Sequence, residues 1–539
     1  MYTYTSTTSP HNSARMGGQL SILAQSSPSI GIFSYIDVLE DVHYTSLLNS
    51  SRFLKTCKAV DNNGEIIIKV FIKPTDDYSL KVPLEELKGE SLLLSQLPNV
   101  LNYSKIVESN RAGYLIRQHL RRNLYDRLSS RPYLHEIECK FIAFQLLQTL
   151  KDIHALNIVH SDIKTENVMV NSWNWSALTD FASHIKPIYL PEDNPGEFSF
   201  YFDTSKRRTC YIAPERFNTA LYNDSSKRFT PDASMDIFSS GCCIAELFSE
   251  GIPIFNLAQL YKYKSGEYNV QDYLREHFPD NKELKDLIID MIQLDPAERL
   301  SAVELLEKYR GIFFPDYFYN FTYDYFRTLA TLMTSIPSTG CLNEFCTLED
   351  KKNIYDTSLE KVYADFKNIC TSLDFPVLRE LPQAKDNKKH KTIFNNNYIK
   401  IGDDNIILVK SYGRYNENIC VANECALLFI SYLSRSLRNL TSNSHKVKCL
   451  ELMTAFSMFI SDDNKIDRVV PYLESCFEED DNPVLQALSI QCLCQVLTAV
   501  EDINQLNENI FVDYLLPRLR KLLFKSVDHP YVRMVLANL

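Results

Sequence analysis

The chain has 539 residues, with 57 Lys and Arg against 68 Asp and Glu. Its formal charge of −11 argues against a dedicated nucleic-acid binder with a net basic face. Apolar residues make up 45% and charged residues 23%, the balance of a folded globular protein rather than a disordered one. Only 14 glycines are present, which disfavours an all-β architecture rich in tight turns and predicts erosion of any glycine-dependent loop. The 14 cysteines lack the C-x-x-C spacing of a zinc site and are read as reduced, buried thiols.

Residues 1–30 are Ser/Thr-rich at their start, without periodicity, and are expected to be disordered. Within them Met16-Gly17-Gly18-Gln19-Leu20-Ser21 matches the N-myristoylation pattern. Gly17 is internal as numbered and can be acylated only if Met16 is the start, so translation is expected to begin at Met16. From Ile32 to Lys73 the pattern is strand-like, ending in the β-branched run Ile66-Ile67-Ile68-Lys69-Val70-Phe71. Leu84 to Leu97 reads as an amphipathic helix with Leu87, Leu94 and Leu97 on one face, and Glu136 to His154 as a long helix. Short strands and loops follow to Pro214, and Asp236 to Tyr309 is helical again. Residues 335–404 are mixed and polar, and the basic run Lys385 to Lys391 is read as a solvated loop.

The last third repeats. Val469-Val470-Pro471-Tyr472-Leu473 precedes Asp481-Asn482-Pro483-Val484, and Tyr514-Leu515-Leu516-Pro517 precedes Asp528-His529-Pro530-Tyr531-Val532. Pro471 and Pro517 are 46 apart and Val484 and Val532 are 48 apart, the period of stacked HEAT helix pairs. The final helix carries no polar cap, so the array is expected to be incomplete at Leu539.

The strongest chemical signal is His160-Ser161-Asp162-Ile163-Lys164-Thr165-Glu166-Asn167, followed by Asp180-Phe181-Ala182 and Ala213-Pro214-Glu215. This order resembles the protein-kinase motifs H-R-D-x-K-x-x-x-N, D-F-G and A-P-E. Phosphoryl transfer needs a carboxylate to orient the attacking hydroxyl, an Asn and a second Asp to hold magnesium, and a lysine on the nucleotide phosphates. Asp162, Asn167, Asp180 and Lys69 match those roles, with Lys164 placed to neutralise the transferring group. Glu90 is the expected helix partner of Lys69. Asp236 and Arg299 match structural positions of the C-terminal lobe, where Arg299 is expected to pair with Glu215.

The departures are as informative. Asn49-Ser50-Ser51-Arg52-Phe53-Leu54 stands where a glycine-rich phosphate loop is expected, so backbone amides should approach phosphates poorly. Ser161 replaces the arginine that pairs with a phosphorylated activation segment, so control through that pairing is not expected. Ala182 replaces the glycine after Asp180-Phe181. Arg117, in Tyr114-Leu-Ile-Arg-Gln-His119, falls at the back of the pocket, where a guanidinium would favour guanine O6 over adenine N6. GTP is therefore an alternative to ATP. The long segment from Asp180 to Glu215, 35 positions apart and with Pro187, Pro191 and Pro195, is read as a docking surface that occupies the substrate groove.

The longer strings from His160 to Ser183 and from Asp203 to Arg216, with the lipidation pattern and the repeats, are similar to the vacuolar-protein-sorting serine/threonine protein kinases. That family comprises regulatory subunits of the class III phosphatidylinositol 3-kinase complex. The resemblance implies an α+β chain with a bilobal protein-kinase fold over 31–315, a helical and loop connector over 316–405 and HEAT repeats over 406–539. It implies ATP and magnesium as cofactors, with Asn167 and Asp180 as metal ligands. It also implies a class III lipid-kinase catalytic subunit and a beclin-type subunit as partners, and a membrane surface reached through an N-terminal lipid on Gly17. The implied setting is cytoplasmic and peripheral, on endosome, vacuole or lysosome, and autophagosome membranes, with roles in autophagy and endosome-to-vacuole sorting. A serine/threonine kinase of weak activity and a nucleotide-binding pseudokinase scaffold both remain open, with regulation through binding expected to dominate.

Overall fold

A computed structural model describes most of residues 31–538. Residues 1–30, 335–347, 378–397, 410–423 and 539 lie outside the description, as do short segments at 51–52, 63, 74, 76–78, 131–132, 203–206, 225, 227–228, 403–404, 480–481, 502, 504–508 and 526–528. Gly17, the expected disordered start and the basic run at 385–391 therefore lie outside the described residues. The chain forms two compact units, one of residues 31–171 with 175–314, the other of 172–174 with 315–539.

The first unit opens with a short helix α1 (Phe33–Ile36) and the strands β1 (His43–Ser50), β2 (Lys55–Asp61) and β3 (Gly64–Ile72). Helix α2 (Lys81–Leu94) and strands β4 (Val100–Leu101), β5 (Lys105–Glu108) and β6 (Ala112–Gln118) follow. Five strands pair in the order β1-β2-β3-β6-β5, all antiparallel. The alternation of β3 explains how the sheet buries both faces. Ile66, Ile68 and Val70 pack with Cys57, Ala59, Tyr114 and Ile116 beneath Tyr35, Ile36 and Leu39. On the other face Phe71 and Leu115 pack with Leu80, Leu84, Leu87 and Tyr103, which seats α2. Gly113 gives the Leu80 side chain room there, since a Cβ would come within 2.7 Å of its Cδ1 and displace it.

Register decides what else lies on the α2 face. Lys69 is opposite Leu115, and Ile67 is opposite Arg117. Residues 67, 69 and 71 of β3 share a face with 113, 115 and 117 of β6, so Lys69 and Arg117 are diagonal neighbours on one surface.

Helices α3 (Leu124–Ser130) and α4 (Glu136–Ala155) begin the C-terminal lobe. His135 and Glu138 form a capping box at the start of α4, each accepting a backbone N–H of the first turn. Strands β7 (Val168–Val170) and β8 (Ser176–Thr179) form a hairpin, and β4 pairs parallel with β8. Helices α5 (Pro195–Tyr201), α6 (Thr219–Asn223) and α7 (Ala233–Phe248) come next. The lobe ends with α8 (Leu257–Lys264), α9 (Val270–His277), α10 (Lys282–Met291) and α11 (Ala302–Lys308). Gly241 on α7 lets α10 approach closely, since a Cβ would meet Met291 and Ile292 within 3 Å.

The second unit contains α12 (Tyr323–Thr334), α13 (Leu348–Ala364), α14 (Phe366–Ser372), the two-stranded β9 (Tyr398–Ile401) and β10 (Asn405–Leu408), α15 (Ala426–Leu437) and α16 (Asn443–Ser457). It continues through α17 (Asp462–Arg468), α18 (Val470–Glu479), α19 (Pro483–Thr498), α20 (Leu516–Lys525) and α21 (Pro530–Asn538). Helix α15 packs on α16, α16 on α19, α18 on α19, and α19 on α21. Val470 and Leu516, which start α18 and α20, are 46 residues apart, and Pro483 and Pro530, which start α19 and α21, are 47 apart. The unit takes in both the stretch expected as a connector and the repeating segment. The described cysteines of both units are buried, and none forms a disulfide among the described residues. No described helix is long and apolar enough to cross a membrane.

Candidate active site

The loop after α4 is built from Asp236, in the first turn of α7. Its carboxylate accepts the backbone N–H groups of His160 at 2.6 Å and Ser161 at 2.9 Å, fixing that turn while Ser161 adopts a φ of 66°. The His160 ring Nε2 lies 2.8 Å from the Thr179 carbonyl, and its Nδ1 accepts the Asp162 N–H at 3.2 Å. These two bonds assign the neutral tautomer with the proton on Nε2. Burial pushes the imidazole pKa down, in agreement with that assignment. The Phe181 ring lies 4.5 Å from the same imidazole, so the two motif segments are locked together.

Asp162, Lys164 and Asn167 meet as the sequence predicts. The Asn167 amide donates to the Asp162 carbonyl at 2.7 Å and to its Oδ2 at 3.1 Å, and Lys164 Nζ lies 3.3 Å from that oxygen. A second lysine reaches it as well: Lys186 Nζ is 2.7 Å away. One carboxylate cannot fully support two buried ammonium groups. Burial opposes the charge on Lys164, but Asp162 outweighs it and raises the pKa. On Lys186 burial wins, and its pKa falls to about 7. Burial would raise the Asp162 carboxyl, yet the two lysines overcome it and hold it at about 2. Lys164 also donates to the Phe202 carbonyl, and the Lys186 ammonium lies over the Phe202 ring.

Lys69 and Asp180 also come together, though with different company. Lys69 Nζ lies 2.7 Å from Asp180 Oδ2. Arg117 donates from Nε to Oδ1 at 2.9 Å and from Nη2 to Oδ2 at 3.3 Å, and its Nη1 donates to the Gln118 carbonyl. Burial would raise the Asp180 carboxyl, but Arg117 and Lys69 together hold it far below the usual carboxylate range.

This corrects two expectations. Glu90 is not the partner of Lys69: its carboxylate lies 2.7 Å from His184 Nε2 and accepts from Ser183 Oγ at 3.2 Å, while Glu86 lies 3.1 Å from His184 Nδ1. The segment just after Asp180-Phe181-Ala182 thus satisfies α2, and Lys69 is neutralised by Asp180 instead. Nor is Arg117 free to read a base, because the strand register turns it onto the Lys69 face and Asp180 takes its fork.

Kinase domains in general use ATP with magnesium, and Asp180 and Asn167 are donors of the right type. The arrangement described does not fit the metal. Both Asp180 oxygens are engaged by cations, while the Asn167 amide uses its Nδ2 on Asp162, so the misfit lies at Asp180. A magnesium ion needs near-octahedral oxygen ligands at about 2.1 Å, with no guanidinium on the same carboxylate.

The activation segment folds onto this site. The backbone of Leu190 bonds with Arg216 and Asn218, and α5 starts at Pro195 under the Asn194 cap. Phe198, Phe200, Tyr201 and Phe202 are buried in the first unit rather than offered as an exposed docking face. From the other side, the Phe53 ring at the end of the glycine-free loop packs at a tilt against Phe200 and Tyr201, at centroid distances of 5.9 and 4.9 Å, and edge-on against Phe71 at 5.3 Å. The loop and the segment therefore close on each other. Arg216 donates to the carbonyls of Ser161, Pro187 and Ile188, so a guanidinium holds the turn that lacks one at position 161. Arg299 meets Glu215 through two bonds, at 2.7 and 2.8 Å, as expected.

Lys186, His184 and Arg216 were missed by motif reasoning. Arg216 had a signal, the arginine directly after Ala-Pro-Glu in a chain with serine at 161. Lys186 had none, because its partner is set by how the segment turns back.

Comparisons with known proteins agree with this geometry. Residues 51–309 match the protein kinase domain, and residues 429–539 match the PIK3R4-like middle domain. The chain is 59% identical over 540 residues to the serine/threonine-protein kinase VPS15 of Saccharomyces cerevisiae, covering 97% of the chain and 37% of that protein. It is 52% identical to a non-specific serine/threonine protein kinase of Candida glabrata, covering 97% of the chain and 36% of the relative. It is 33% identical to the serine/threonine-protein kinase VPS15 of Arabidopsis thaliana, covering 91% and 34%. The chain thus spans little more than a third of the length of the curated relatives it matches.

Proposed function

The chain belongs to the VPS15-type serine/threonine-protein kinases, and from that premise we propose that it works as the regulatory protein-kinase subunit of a class III phosphatidylinositol 3-kinase complex. Its main task is to hold and tune the lipid-kinase catalytic subunit, with a beclin-type subunit alongside. The helical pairs of the second unit serve as a HEAT-type scaffold, and a lipid on Gly17, with Met16 as the start, supplies contact with endosome, vacuole or autophagosome membranes. Autophagy and endosome-to-vacuole sorting are the processes it serves.

One observation carries the ranking of binding over catalysis: each of the two carboxylates that phosphoryl transfer needs is held by two cationic side chains of the chain itself. Asp162 faces Lys164 and Lys186, and Asp180 faces Lys69 and Arg117. For transfer from ATP to a Ser or Thr hydroxyl, Asp162 must turn from Lys186 to the incoming hydroxyl and α5 must leave the cleft. Lys69 then lies on the phosphates and Lys164 on the transferring group. Such activity is a minor one here, and a pseudokinase scaffold that binds nucleotide without transfer is the second reading, favoured by the Lys186–Asp162 contact.

Two measurements separate these readings. Lipid phosphorylation by the class III catalytic subunit, with and without the full chain, is expected to fall when the chain is omitted; equal rates refute the regulatory role. Phosphate transfer to peptides by the chain is expected to be slow, and robust transfer abolished by Asp162→Asn would reverse the ranking.

A further inference from the structure

Resting on the reading of the cleft as a nucleotide site, we propose that Arg117 takes the place of a divalent cation at Asp180, so that this chain binds a nucleoside triphosphate without magnesium.

The position is built in by strand register. Arg117 and Lys69 lie diagonally on the same face of β6 and β3, and both side chains end on one carboxylate. Arg117 is only 7% exposed, and its third donor is tied to the Gln118 carbonyl, which fixes the guanidinium in the plane it needs. A buried guanidinium is costly unless its hydrogen bonds and charge are matched, and here Asp180 matches both. A metal at Asp180 would have to displace these bonds and then sit beside a retained positive charge.

The charge count favours the substitution. Lys69 and Arg117 on Asp180 leave one net positive charge at that locus with no metal present. Lys164, held charged at Asp162, is close enough to feel Asp180 and adds to the same field. Ammonium donors, and the guanidinium N–H groups that face away from Asp180, suit phosphate oxygens. The chain also lacks the glycines through which a phosphate loop grips by backbone amides, so side-chain cations are the means left to it. Beside this group stands Tyr103, buried, within the field of Asp180 and Arg117, its hydroxyl without a hydrogen-bond partner among the described residues. A bound polar ligand would satisfy it.

The test is a titration of the full chain with a fluorescent N-methylanthraniloyl ATP, once in excess magnesium and once in EDTA. The wild-type dissociation constant is expected to change by less than about fivefold between the two, roughly 1 kcal/mol. In Arg117→Met, binding in EDTA is expected to weaken by more than about tenfold relative to magnesium. Arg117→Lys, which keeps the charge but loses the fork, is expected to fall between them, and thermal unfolding of each variant checks that it is folded. A wild-type chain that needs magnesium overturns the proposal while leaving the nucleotide site standing. An Arg117→Met chain as indifferent to magnesium as the wild type removes Arg117 from the explanation. Absence of binding in both buffers overturns the nucleotide reading itself.

Discussion

Lys186 offers a quantitative probe of the closed cleft. Its ammonium is pushed down from an ordinary value of 10.5 to about 7, chiefly by burial, against the pull of Asp162. Below pH 7 the folded and unfolded chains both carry the proton, and the folded chain bears the full cost of the buried charge. Between pH 7 and 10.5 the unfolded chain holds a proton that the folded chain has released, so stability rises with pH by about 1.4 kcal/mol per pH unit. From pH 7 to pH 8.5 the rise from this one group is about 1.6 kcal/mol, allowing for half-ionisation at the lower end. For a unit of about 280 residues that corresponds to a shift of about 3 °C in melting temperature. Lys186→Met keeps the aliphatic stem and removes the titration. The assay is the melting temperature of the first unit's transition in the full chain, wild type against variant, from pH 6.5 to 8.5. The wild-type curve should climb toward the variant's with rising pH. Parallel curves would refute the burial of a charged Lys186 against Asp162, and with it the closed arrangement of the segment.

Two further perturbations address other joints of the fold. Glu215→Ala leaves the fully buried Arg299 side chain without its carboxylate and should cost about 3 kcal/mol in urea unfolding; a loss below about 1 kcal/mol would show that the pair is not what anchors that segment. Phe53→Ala removes three aromatic contacts, worth together about 2 kcal/mol, so amides of residues 195–202 should exchange about 30-fold faster. Unchanged exchange would mean that the glycine-free loop does not hold α5.

What the sequence made legible was local. Asp162, Lys164 and Asn167 lie within six residues, and their spacing nearly dictates that they meet. The β-branched run around Lys69 announces a strand, and the Asp and Pro spacing of the last third announces helix starts close to those at Val470, Pro483, Leu516 and Pro530. The pairing of charges across the cleft was not legible. Glu90 was the natural partner for Lys69 by motif order, but Lys69, Arg117 and the His184 ring compete for Asp180 and the α2 glutamates. Which pairs form depends on the register of β6 against β3 and on the turn after Ala182. Arg117 could be placed at the back of the pocket from spacing alone, yet its direction follows only from knowing that it lies opposite Ile67. Lys186 carried no pattern, because nothing local ties a lysine six residues past Asp180 to a carboxylate in the preceding loop.

The central claim is that Lys69, Asp162, Asn167 and Asp180 surround one triphosphate between the two lobes of the first unit. Its most direct test is an experimental structure of the full chain at saturating nucleoside triphosphate. The account predicts phosphate density within hydrogen-bonding distance of Lys69 and Arg117. Density elsewhere, or a cleft that stays closed by α5 and empty at saturation, would contradict it.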